Sequence, residues 1–266
     1  MDLNLNRFAI CLIIICAKLS ESQRISFRRY DIVPTNTPLP FPACRADDIE
    51  CLRRGFRTFF FLMNEGHMGM HRIDPLILNS VSVAVPNEQV SFVLRKVNVT
   101  GATWSKLSDR KFNNQNGKNS VRLISDLHVT GVITMRLSRN IEPAVAFITM
   151  DFDNVESNIT YSWYGQRGYD NEDYIVIGQE RIAVRNSKTP LFFLQPEIVN
   201  LDRAEDLKSG GSRDSFAIEQ VMLSKTAILD HLANEITVAL MHAVVDNFRI
   251  FAATVPVKNY YIYNYK

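Results

Sequence analysis

"AILDHLANEITVALMHAVVDNF", residues 227 to 248, carries the pattern that decides this fold. Apolar residues return every three or four positions, and the stripe runs through Phe216, Val221, Ile228, Leu232, Ile236, Leu240, Val244 and Phe248. Neither Gly nor Pro occurs from Ser212 to Val255, so one long helix is expected over the whole run. Lys225, Asp230, His231, Asn234, Glu235 and Asp246 interrupt it too often for a bilayer span, so no stable membrane insertion is expected. Its later part, ITVALMHAVV, is apolar on most sides, which predicts burial all round.

A helix of that kind needs apolar walls, and the middle of the chain supplies them in period two. Val81, Val83 and Val85 alternate with Ser80, Ser82 and Ala84, and Val121, Leu123, Leu127, Val129, Ile133 and Met135 alternate mainly with polar partners. In VESNITYSW (155–163), Val155, Ser157, Ile159, Tyr161 and Trp163 share one face, and Glu156, Asn158, Thr160 and Ser162 the other. A strongly curved antiparallel sheet wrapped around one long helix satisfies both patterns, so the fold class is α+β.

The opening MDLNLNRFAICLIIICAKLSES reads as a secretory signal: Arg7, an apolar core from Phe8 to Ala17, then small Ser20 and Ser22. That apolar core is too short to cross a bilayer as a helix. The expected organisation is a signal peptide at 1–22, an N-terminal arm at 23–43, and one domain at 44–266, since no Gly/Ser or Pro-rich linker divides the rest. Cleavage removes Cys11 and Cys16 and leaves Cys44 and Cys51 in an oxidising compartment, where a disulfide is the expected state. The sequons Asn98-Val-Thr100 and Asn158-Ile-Thr160 place Asn98 and Asn158 on outward strand faces as glycosylation candidates, in keeping with an extracellular, secreted protein. The formal charge of +2 offers no strong field for nucleic acid.

Asp47 or Asp48 caps a first, shorter helix in which Ile49, Leu52, Phe56, Phe59 or Phe60, and Met63 recur at helical spacing, with Arg53, Arg54 and Arg57 elsewhere and Gly66 ending it. Were both cysteines inside that helix, their Cα atoms would stand about 10.5 Å apart, beyond the roughly 7 Å a disulfide tolerates. Cys44 is therefore expected on an arm that folds back.

Several of these features occur together in one order: Cys44 and Cys51 with Leu52, the helix closing into Gly66, IDPL (73–76), the strand from Val97 to Gly101, a second strand with Gly131, NEDY (171–174), the long helix, and VP (255–256). In this ordered set the chain resembles the insect haemolymph juvenile-hormone-binding and takeout family, over about residues 40 to 260. The resemblance implies a tubular-lipid-binding fold, an elongated roll enclosing an apolar tunnel, and the N-terminal disulfide. Cysteines for the second disulfide of some hormone carriers are missing, which places the chain nearer takeout-like members. GHMGMHRIDPL carries Met and His where the family favours proline and small residues, and FITMDFDN lacks glycines usual at its counterpart, so strand curvature or cavity shape is expected to differ there.

The tunnel implied by the resemblance would be lined by Phe56, Phe59, Phe60 and Met63 of the first helix, by Trp104, Tyr161 and Trp163, and by Ile228, Leu232, Ile236 and Leu240 of the long helix. Opening would use the first helix and the GHMGMHR loop. No GxSxG elbow, HExxH helix, P-loop or GxGxxG turn occurs, so neither an enzyme nor a cofactor is expected. His67 and His71 fall in a Gly-containing loop without a third ligand, and Asp151 and Asp153 lack the remaining ligands of a calcium loop, so no metal site is expected. The expected function is that of a secreted carrier for a small hydrophobic ligand: a juvenile-hormone-like terpenoid, a fatty acid or another lipid. The alternative is a secreted signalling or interaction module on the same scaffold with its tunnel filled. The sequence names no protein partner.

Overall fold

The computed structural model describes residues 39–84, 90–113, 118–137, 142–196 and 211–262. The expected signal at 1–22, the expected arm up to residue 38 and Val85 lie outside them. All described residues belong to one compact unit, Pro34–Lys266.

Helix α1 (Ile49–Asn64) begins where the capping logic puts it. Asp48 is the N-cap, and its carboxylate accepts a hydrogen bond from the Cys51 amide at 2.9 Å. The chain leaves at Glu65 and turns through Gly66 at φ 73°, a left-handed conformation that glycine adopts without strain. Leu52, Gly55, Phe59, Phe60 and Met63 are buried, while Arg53, Arg54 and Arg57 face solvent.

Among the described residues, seven strands form one antiparallel sheet: β2 (Leu76–Ala84), β3 (Ser91–Thr100), β4 (Lys106–Asn113), β5 (Lys118–Arg136), β6 (Ala144–Arg167), β7 (Asp173–Arg185) and β8 (Leu191–Pro196). The order is β2-β3-β5-β6-β7, with β4 also on β5 and β8 also on β6. The long strands β5 and β6 are therefore the spine, and each changes neighbour along its length. Val155, Ser157, Ile159 and Tyr161 are buried as the alternation requires, and so are Val121, Leu123, Leu127, Val129, Ile133 and Met135.

Curvature enters at register shifts. One separates Arg95 from Asn98 in β3, where Lys96 has φ 51°; another separates Ser125 from Leu127 in β5, opposite Asn154 at φ 51°. Bulges bend a strand and increase its twist. In FITMDFDN the bend thus falls on Asn154, a residue type that tolerates the left-handed region, and its amide is held by the Asp126 carboxylate at 2.8 Å.

Two parts of the family pattern meet at Asp74 of IDPL. Its carboxylate accepts from the Gly101 amide, from the Thr103 amide at 2.9 Å and from the Thr103 hydroxyl at 2.8 Å. Gly101 has φ 98°, and a Cβ there would lie 2.4 Å from the Asp126 carbonyl oxygen. This corner therefore admits only glycine.

The single helix expected over 212–255 is instead two. Helix α2 (Gly211–Ser224) and helix α3 (Thr226–Thr254) meet at Lys225, whose φ −138° and ψ 72° are not helical. Helix α2 packs on β6 and β8, whereas α3 packs on β7, β2 and β6. The two halves of the apolar stripe thus follow different parts of a bent sheet, a cause that leaves no Gly or Pro in the sequence. Burial of ITVALMHAVV is also incomplete: His242 is exposed and bonds Glu180 at the solvent edge.

Cys44 and Cys51 form the disulfide, with Cα atoms 5.6 Å apart. Cys44 lies in β1 (Cys44–Arg45), which pairs in parallel with β9 (Tyr261–Ile262), and the Cys44 amide donates to the Tyr260 carbonyl at 3.0 Å. Both ends of the described chain are thereby fastened beside the first half of α1.

Candidate functional site

The fastened ends form part of the wall of a half-open apolar cavity of about 110 Å³. Helix α1 contributes Leu52, Gly55, Phe56 and Phe59; β6 contributes Tyr161 and Trp163; β7 contributes Ile175; α3 contributes Phe248 and Phe251. Phe41, Cys44, Tyr260 and Tyr261 come from the fastened ends, and Phe112 and Asn119 from β4 and β5. No charged side chain is among these residues. Asn119, Tyr161, Trp163, Tyr260 and Tyr261 carry the polar atoms, and burial pushes the Tyr261 phenol above its ordinary pKa.

A second space of about 20 Å³ lies against Phe56, Phe59, Val121, Leu123, Ile159, Tyr161, Val244, Val245 and Phe248. Phe56, Phe59, Tyr161 and Phe248 line both spaces and so stand between them. Their rings meet edge to face: Phe59 and Phe248 have centroids 5.9 Å apart, and Tyr161 and Phe248 6.0 Å. Phe251 extends the cluster, 5.4 Å from Phe59 and 5.1 Å from Tyr260. The continuous tunnel expected beside the long helix is thus interrupted by an aromatic partition.

Of the expected lining residues, Phe56, Phe59, Tyr161 and Trp163 come together at the cavity. Phe60 and Met63 are wholly buried and line neither space; they lie one and two turns beyond Phe56 on the same apolar side of the helix and pack in the core there. Ile228, Leu232, Ile236 and Leu240 are likewise core and line neither, since the void stays at the opposite end of α3. Trp104 is 59% exposed in the turn Ala102–Trp104, edge-on to Phe61 at 5.5 Å with the Arg57 guanidinium over its ring at 5.6 Å. The sequence reading missed Phe41, Phe112, Ile175, Phe248, Phe251, Tyr260 and Tyr261 as lining residues. Phe248 belongs to the long-helix stripe, whereas no periodic pattern in the sequence ties Tyr260 and Tyr261 to it.

The GHMGMHR loop lies at the other end of α1 from the cavity. There the buried Asn247 side chain takes both backbone bonds of His71, accepting from its amide at 2.6 Å and donating to its carbonyl at 2.7 Å. His67 bonds Glu65 at 2.7 Å, Asp151 bonds His128 at 2.6 Å, and Asp153 pairs with Lys188 at 3.4 Å. Among the described residues no three His, Cys, Asp or Glu converge on one point. Asn98 and Asn158 lie on the outward faces of β3 and β6, and the Asn158 amide oxygen accepts from the Ser120 hydroxyl at 2.6 Å.

Two polar braces flank the cavity. At NEDY, the Tyr174 hydroxyl donates to Asp170 at 2.6 Å, and Glu172 pairs with Lys258 just before Tyr260. Burial, reinforced by the Asp170 carboxylate, pushes the Tyr174 phenol up to about 12, while that hydrogen bond lowers the Asp170 pKa. Across the α3–β7 contact, Glu180 accepts from both Arg249 and His242. Burial pushes the Glu180 carboxyl up, but the bonds from Arg249 and His242 outweigh it and hold its pKa below the ordinary value.

No protein-family model matches the chain. Over 163 residues it is 24% identical to the juvenile hormone-binding protein of Manduca sexta, a match covering 60% of this chain and 71% of that protein. In three dimensions it superposes on Takeout 1 of Epiphyas postvittana with a TM-score of 0.61 at 14% identity, covering 84% of this chain and 100% of that one, so the two share a fold. This relative and this shared fold support the resemblance to the juvenile-hormone-binding and takeout family.

Proposed function

We propose that this protein is a secreted, non-catalytic carrier of a small hydrophobic molecule, held in the cavity between α1, β6 and α3. The observation that carries the reading is the apolar, uncharged, aromatic-lined space bounded on one side by the disulfide and by β9. Apolar transfer alone gives about 0.8 kcal/mol per buried methylene, so a long chain reaches micromolar affinity or better without any catalytic group. A name that includes juvenile hormone binding, borne by the Manduca sexta relative, supports a ligand of terpenoid or similar lipid class. Extracellular placement and glycans at Asn98 and Asn158 belong to the same reading.

The cavity is small beside the roughly 300–1,000 Å³ of ordinary ligand pockets, and nearer the size of a dry apolar cavity that takes up benzene, about 150 Å³. A ring or a short chain segment fits as it stands; a longer guest must part the rings of Phe59, Tyr161 and Phe248. Native mass spectrometry of the protein recovered from its own fluid, followed by lipid extraction, tests the proposal. A bound lipid supports it, and an empty protein that also ignores hydrophobic fluorescent probes refutes it.

The aromatic partition favours a second reading, a signalling or interaction module whose interior is permanently filled. The probe experiment separates the two, because a filled interior takes up nothing.

A further inference from the structure

Followed inward from the cavity, two elements keep the same depth. On β6, Trp163 and Tyr161 line the large space, Tyr161 and Ile159 the small one, and Ser157 is the next inward-facing residue. Ser157 sits directly across from Leu123, which also lines the small space. On α3, Phe251 and Phe248 line the large space, Phe248, Val245 and Val244 the small one, and Thr237 lies two turns farther along the same stripe. Trp163 to Ser157 spans about 20 Å of strand, and Phe251 to Thr237 about 21 Å of helix.

Polar bonds between β7 and α3 fix the level independently. Glu180 bonds His242 and Arg249, and Asn186 contacts Asp230 and Asn234 at 3.4 Å. Val184, the β7 partner of Ser157, lies between those two strand anchors, and Thr237 lies between the corresponding helix anchors. Ser157 and Thr237 are both 0% exposed, and among the described residues neither hydroxyl has a hydrogen-bond partner. A buried polar atom without a partner is costly. Two at one depth of an apolar seam point to a group that is bound there at other times.

We infer that Ser157 and Thr237 form a polar subsite at the inner end of the ligand path, and that it binds the neutral hydrogen-bonding oxygen of an elongated apolar molecule: an ester, ketone or alcohol. The inference rests on the carrier reading and narrows its ligand class. The residues paired with Ser157 across the sheet are Leu123 and Val184, so a carboxylate there would be a buried charge without a partner. A fatty acid would leave its charged head at the mouth. Entry parts the ring contacts among Phe59, Tyr161 and Phe248, and the oxygen at the leading end then meets the two hydroxyl donors.

The test uses the full chain and its Ser157→Ala and Thr237→Val variants, with methyl myristate and tetradecane each displacing N-phenylnaphthylamine. Each variant is expected to lose about fivefold in affinity for the ester, the worth of one neutral hydrogen bond, and to keep its affinity for the alkane. Without ligand, each variant is expected to melt about 2–4 °C higher, since an unsatisfied buried hydroxyl has gone. Near-ultraviolet circular dichroism establishes that the variants are folded. Equal losses for ester and alkane, or no loss for either, overturn the subsite while leaving the carrier reading in place. Failure of the unaltered chain to bind any of the three probes overturns both.

Discussion

Removing the ring that separates the two interior spaces tests the carrier reading most directly. Phe248 lines both spaces and makes edge-to-face contacts with Phe59 and Tyr161. Phe→Ala substitutions in cores cost about 3–5 kcal/mol, and contacts of this kind contribute about 0.5–1.5 kcal/mol each within that total. Phe248 is only half-buried, so Phe248→Ala should sit at the lower end, about 3 kcal/mol, or roughly 6–12 °C in melting temperature. The same change joins the two spaces and removes the work of parting the rings. Methyl myristate at a hundredfold excess over its Kd should therefore return about 2.7 kcal/mol, nearly restoring the melting temperature, and the variant should bind the ester more tightly and faster than the unaltered chain. Differential scanning fluorimetry with and without ester, together with stopped-flow probe displacement, reads all three quantities. A variant destabilised as calculated, yet neither rescued by the ester nor improved in affinity, would mean that the enlarged space leads nowhere a ligand can go.

Other perturbations probe the frame. Asp74→Ala strips the acceptor from the Gly101 amide and from both Thr103 donors and should cost about 3 kcal/mol, read as a lower urea midpoint with an unchanged slope. Replacing Cys44 and Cys51 together by Ser removes a loop constraint worth about 2.5 kcal/mol in the chain-entropy model. It should also hasten probe dissociation, because Cys44 holds β9 at the cavity. The pKa of Glu180 lies below its ordinary value of 4.5, so its contribution is present above that value and lost as pH falls through the lower folded-state value. Glu180→Gln should therefore destabilise at neutral pH, and the deficit should shrink on acidification below the ordinary glutamate range; urea titrations at a series of pH values check this, and a pH-independent deficit would contradict it.

Much of this architecture is legible from periodicity alone. VESNITYSW reports the dry face of β6 because side chains alternate across a pleated sheet, and α1 follows from a cap, a stripe and a terminal glycine. The break at Lys225 is illegible because its cause is the direction of a distant, bent sheet rather than any local residue preference. The cavity is legible only in part. Phe56 and Phe59 line it whereas Phe60 and Met63 do not, although all four belong to one apolar side of α1. An apolar side chain has the same sequence signature whether it meets a void or another side chain. Phe41, Phe112 and Tyr261 converge from three distant parts of the chain, which no spacing rule connects.

The distribution of forces explains how a nearly closed interior can be reconciled with carrying a guest. Directional bonds lie outside the aromatic seam: Asp74 at the Gly101 corner, Asn247 on the His71 backbone, Glu180 with Arg249 and His242, Glu172 with Lys258, and the disulfide. The seam inside is held by ring edges and aliphatic contacts, which are non-directional and individually weak. Apolar surface regained against a ligand is worth about 25 cal/mol per Å², the same order as the surface the rings give up against one another. Parting the seam exchanges like for like, whereas opening the frame would break directional bonds and leave partners such as the buried Asn247 amide and the nearly buried Glu180 carboxylate unpaired. Ser157 and Thr237 are the exception within the seam: both are fully buried, and among the described residues neither hydroxyl has a partner. They therefore tilt the exchange toward a guest that brings an oxygen and against one that is hydrocarbon throughout.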